Sequence, residues 1–167
     1  MNHVRTNDIF STATWDSKLP NFENLKESFL DTLRLERKLN PEGVHKSNYN
    51  GYQSIDTLAV TYEQEFRPLF KHIMEVMVPE IIKDCGFFVS SGDISGCWAN
   101  FNEGGYTSNE VHIHNGTLSG VFYINTPPGS GDLVFINSGM NNLWGGIFLA
   151  SNIMSGGPKY VAPHIIS

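Results

Sequence analysis

The sequence predicts an α+β fold, mainly β, with supporting helices first and a jelly roll or antiparallel sandwich after them. Three observations carry this reading. Apolar residues recur at three- and four-residue spacing before residue 84, that period disappears after Gly86, and apolar runs of strand length then follow. Glycines and Pro127-Pro128 separate those runs. Helices that precede the strands, instead of alternating with them, leave an antiparallel β core.

Size and composition set the frame. A chain of 167 residues holds one domain with a real core, and no composition shift argues for two. Residues 21–84 are expected to be helical support and 86–167 the β core, with that core incomplete at its C-terminal end. Hydrophobic residues at 40% and aromatics at 12% exclude a disordered chain. A net charge of −6 argues against nucleic acid or a membrane surface as the main partner. Cys85 and Cys97 form no Cys-x-x-Cys pair, so neither a disulfide framework nor a thiolate zinc site is expected. The start, MNHVRTNDIFSTATW, lacks the apolar core of a signal peptide, and about 18 consecutive apolar residues occur nowhere. A cytoplasmic location is therefore expected, with a homodimer among the assemblies.

Residues 1–20 look extended. From Asn21, Phe22, Leu25, Phe29 and Leu33 repeat at helical spacing, with Glu23, Lys26, Glu27, Asp31 and Arg34 between them. This helix should stop near Asn40-Pro41. A loop rich in Gly, Ser and Asn follows to Ser54. A second helix is expected from about Thr61 to Asp84, with Phe66, Leu69, Phe70, Ile73, Met74, Met77 and Ile81 inward. Pro68 and Pro79 fall within it, so a start or kink is expected at one and a break at the other. Short strands are then expected at Phe87–Val89, Ser95–Phe101, Val111–His114, Leu118–Asn125 and Leu133–Ile136.

Chemistry concentrates between Trp98 and Asn125. On a strand, alternate side chains share a face, so His112 and His114 point one way and Val111 and Ile113 the other. Two imidazoles one pleat apart can both reach one metal ion at about 2.0–2.1 Å. The bland alternative is a pair of surface or hydrogen-bonded core histidines. The setting, after a Glu-Gly-Gly turn and before an apolar strand, favours the metal.

These residues carry a family resemblance. His112-x-His114 with Ser119–Asn125, then Ser130-Gly131-Asp132-Leu133-Val134-Phe135, preceded by SNYNGYQS and Trp98-Ala99-Asn100, resembles the iron(II)- and 2-oxoglutarate-dependent oxygenases. The match is nearest to the group found in phages and marine bacteria, and it covers roughly residues 40 to 140. The resemblance implies a double-stranded β-helix (jelly roll), Fe(II), and 2-oxoglutarate as cosubstrate of a hydroxylase whose substrate is unknown. If phage-encoded, the protein would work in the host cytoplasm. His112 matches the first metal ligand. His114 stands where the superfamily usually has a carboxylate, which leaves the metal more positive. Tyr123 and Asn102 match cosubstrate contacts and Leu133 a pocket-lining leucine. Each also has a plainer reading: strand core, turn residue and packing.

The C-terminal stretch departs from the family pattern. His164 is the only later histidine and stands as the candidate third ligand, but no Arg follows it and Lys159 precedes it. Two other classes stay open. A cupin-type metal protein would use the same His-x-His pair, with Glu110 as a candidate carboxylate. A catalytically inactive jelly-roll binding or structural module would use neither metal nor cosubstrate.

Overall fold

A computed structural model describes residues 13–86, 92–104, 106–114, 116–135 and 148–154, the last through its backbone. Helix α1 spans Phe22–Leu39. Its first turn carries Glu23 and its last turn Arg37 and Lys38, the charges that suit the two ends of a helix dipole. It ends at Asn40 because Pro41 disfavours helical φ and ψ in the residue before it, and Asn40 turns to φ −125° and ψ 66°. Phe29 and Leu33 are buried on its inner face, and so is Glu36 one turn further on.

The second helical region is segmented. Helix α2 is Leu58–Thr61, helix α3 is Arg67–His72, a π-helical turn covers Ile73–Met77, and helix α4 is Val78–Cys85. Pro68 sits in the first turn of α3, where a missing N–H costs nothing. The break expected at Pro79 does not occur. Pro79 cannot donate to the carbonyl four residues back, and the chain widens into a π turn whose Val78 N–H bonds to the Ile73 carbonyl. The helix axis therefore continues to Cys85, where Gly86 at φ 66° caps it.

Strands β1 (Asn48–Tyr49) and β4 (Ser108–Asn109) pair antiparallel, as do β2 (Tyr52–Gln53) and β3 (Asn100–Phe101). Strands β5 (His112–Ile113) and β6 (Gly131–Val134) flank β7 (Phe148–Met154), both antiparallel to it. A single parallel bridge joins Thr57 to Cys97. Leu118–Asn125, expected as a strand, forms no ladder among the described residues. It keeps the two-residue alternation nonetheless: Phe122 and Ile124 pack on the core while Val121 and Tyr123 are exposed. Phe87–Val89 lies outside the described residues.

The core lies between the helices and these β segments. Leu19, Phe29, Leu33, Leu58, Tyr62, Phe66 and Leu69 are buried together. Phe29 stacks on Phe66 at 4.9 Å between ring centres and meets Phe122 edge-on at 6.2 Å. Cys97, Ala99 and Phe101 pack against this cluster, so odd-numbered residues of that segment face the core. The even-numbered Trp98, Asn100 and Asn102 face away, and this places the candidate site. Among the described residues, no helix is long and apolar enough to cross a membrane.

Candidate metal centre

The site is built on three neighbouring extended segments. Ser47 accepts a hydrogen bond from the Glu110 N–H at 2.6 Å, which ties the start of the His-x-His segment to the β1 side. Trp98 on the β3 segment meets His114, their ring centres 5.2 Å apart. At the other end of the same pair of segments, Asn102 Nδ2 donates to Asn109 Oδ1 at 3.1 Å. The two segments thus run side by side in opposite directions, with the turn at Glu103–Thr107 between them. Gly104 takes φ 81° in that turn, and the Thr107 hydroxyl donates to its carbonyl.

Within this frame the alternation expected of Val111–His114 is present. Val111 and Ile113 are 57% and 58% exposed, while His112 and His114 are half-buried on the other face. The two imidazoles stand 4.7 Å apart, almost perpendicular at 87°. Ring centres 4.7 Å apart, in an edge-to-face arrangement, lie within the range open to two imidazoles that share one ion.

The surroundings of the two rings differ. His112 Nδ1 lies 2.6 Å from the Glu110 carbonyl oxygen, which can only accept. A carbonyl partner places a proton on Nδ1, so in the neutral tautomer the Nε2 lone pair is left for another partner. Burial lowers the pKa of His114, and the neighbouring His112 lowers it further. His114 is accordingly a neutral imidazole at pH 7.

The other expected site residues are distributed as follows. Tyr123, Asn102 and Leu133 border the same open space as the two histidines, a space that extends along much of the described chain from Ala13 to Phe135. Tyr123 is 41% exposed, and its hydroxyl pKa is raised by burial and by Asp132. Asn102 and Leu133 are half-buried. Glu110 is exposed and reaches His112 through its backbone carbonyl, not its carboxylate. Among the described residues, no third His, Cys, Asp or Glu joins the pair in a group that could hold a metal. His164 and Lys159 lie outside the described residues.

Sequence reasoning gave three residues no individual role. Trp98 packs on His114, and alternation from the core-facing Cys97 and Ala99 was the available signal. Gln53 borders the groove and is 3% exposed. Glu36, also buried, accepts hydrogen bonds from Tyr62 Oη and Asn40 Nδ2, each at 2.9 Å. Its place seven residues after Phe29, on the inner face of α1, was readable from helical period. No protein-family model, curated protein or solved structure matches this chain.

Proposed function

We propose that this chain is an iron(II)- and 2-oxoglutarate-dependent dioxygenase on a jelly-roll core, acting on an unidentified substrate. The supporting observation is the pair of near-perpendicular imidazoles, 4.7 Å apart on one strand face. The pairs β1–β4, β2–β3, β5–β7 and β6–β7 are all antiparallel, as strand pairs in a jelly roll mostly are. When bound, iron and 2-oxoglutarate would supply oxygen activation, with the cosubstrate converted to succinate and carbon dioxide and a C–H bond hydroxylated.

The chain's own residues have definite tasks in this reading. His112 and His114 hold the metal through Nε2 and a neutral ring respectively. The Glu110 carbonyl fixes the His112 tautomer, and Trp98 limits the freedom of the His114 ring. Tyr123, Asn102 and Leu133 line the groove in which the cosubstrate would lie, with His164 as the proposed third ligand.

Anaerobic calorimetric titration with Fe(II) or Mn(II) tests the site. The parent should bind metal, and His112→Ala or His114→Ala should weaken it by at least the roughly 10–100-fold seen for outer-shell changes. Turnover of 2-oxoglutarate to succinate then tests the reaction. Metal binding without turnover would point to a cupin-type metal protein. A parent that binds no better than the variants would leave the pair structural and the chain a binding module.

A further inference from the structure

An imidazole ligates in its neutral form, so a divalent ion held by His112 and His114 keeps its full charge unless a carboxylate joins them. The chain has few carboxylates to send. From Val111 to Ser167 it holds one side-chain carboxylate, Asp132. Asp132 lies close enough to Tyr123 to push that hydroxyl's pKa up, and it joins no group with the histidines that could hold a metal. Glu110 is exposed and meets His112 through its backbone carbonyl. Outside the described residues the one side-chain carboxylate is Asp8. His164, the proposed third ligand, would be neutral as well, and Lys159 is cationic.

The setting makes an uncompensated charge costly. Both histidines are half-buried, and Trp98 stands against His114 with ring centres 5.2 Å apart. An ion there gives up part of its hydration and receives no counter-charge from the pair. Two imidazoles also fill only two of the four to six positions that a divalent ion uses. The pair borders open space, so a small molecule can reach the positions that are left. A ligand that fills two of them and carries two negative charges supplies both the donors and the charge that the protein does not.

We infer that His112 and His114 take up a divalent metal jointly with a small chelating dianion, each strengthening the binding of the other because the protein donors are uncharged. Linkage makes the effect reciprocal: the factor by which the dianion raises metal affinity is the factor by which the metal raises dianion affinity. A carboxylate in place of one imidazole would supply part of that charge from the protein and weaken the coupling. This inference rests on the metal reading of the pair and holds whether or not the dianion is turned over.

The test is a calorimetric titration of the full chain with Mn(II), alone, with malonate, and with malonamide as the uncharged chelate of the same shape. Blank titrations of Mn(II) into each chelate are subtracted. Proton NMR follows the same mixtures at the Trp98 indole N–H, which Mn(II) bound at His114 broadens by proximity. Malonate should tighten Mn(II) binding about tenfold or more, and malonamide should leave it nearly unchanged. His114→Asp, which brings one negative charge into the pair, should gain less from malonate than the parent does. Equal binding with and without malonate, an equal gain from malonamide, or an equal gain in His114→Asp overturns the coupling while the metal reading stands. Binding in none of the three mixtures, with the Trp98 resonance unbroadened, overturns both. Should His114→Asp fail to fold, the malonate and malonamide titrations of the parent decide.

Discussion

Two titrating residues set opposite ends of the stability profile. His114 has a folded-state pKa below its ordinary value, from burial first and His112 second. The unfolded chain then takes up a proton near pH 6.5 that the folded chain resists. The stability linked to this group is present above pH 6.5 and is lost as pH falls through the folded-state pKa. His114→Gln should flatten that acid limb in urea midpoints measured between pH 7.5 and 4.5; an unchanged slope would remove His114 as its source. Tyr62 works in the other direction. Burial, then the hydrogen bond to Glu36, push its hydroxyl up to about 12. Its contribution is complete below pH 10 and disappears as pH rises toward 12. Tyr62→Phe should therefore lose the alkaline dependence between those values, read by thermal melts at stepped pH.

At the scale of elements, α1 is held by its aromatic face and β2 by close backbone approach. Phe29 is fully buried and stacked on Phe66. Truncation to alanine should cost about 3–5 kcal/mol, the range for buried aromatic rings, measured by denaturant unfolding. A loss under about 1 kcal/mol would mean that the site collapses around the missing ring. Gly43 serves β2 differently. It takes φ 56°, and a Cβ there would collide with the Gln53 carbonyl oxygen, which accepts the Val44 N–H. Gly43→Ala thus meets both a left-handed backbone and a backbone clash, so a loss of about 1–3 kcal/mol is expected. If the variant melts with the parent, the 43–44 segment does not seat against β2 in solution.

Across the whole molecule, charge contributes solubility more than stability. The ion pairs of the described residues, such as Arg37–Glu103 at 2.7 Å and Lys46–Asp56 at 3.4 Å, have side chains 39% to 65% exposed. Pairs of this kind are worth about 0.2–1 kcal/mol and are screened by salt. A double-mutant cycle on Arg37 and Glu103 should fall in that range, although Arg37 also lies over the rings of Tyr52 and Phe101. A coupling above about 2 kcal/mol would mean that the pair is far less solvated than its exposure implies.

What the sequence determined by itself is what depends on near neighbours in the chain. The limits of α1 and the shared face of His112 and His114 follow from periodicity and proline chemistry within a few residues. What the tertiary structure decided depends on partners far away in sequence. Leu118–Asn125 has the alternation of a strand but no ladder among the described residues, since a ladder needs a second segment at the right register. Pro79 was absorbed by a π turn because that region packs its Ile73 and Phe70 side against the core, which keeps the helix axis in place. The Gln53–Asn100 pairing of β2 with β3 and the ring contact of Trp98 with His114 join residues 47 and 16 positions apart. Local pattern sets which face a side chain takes; only the long-range contacts set what stands opposite it.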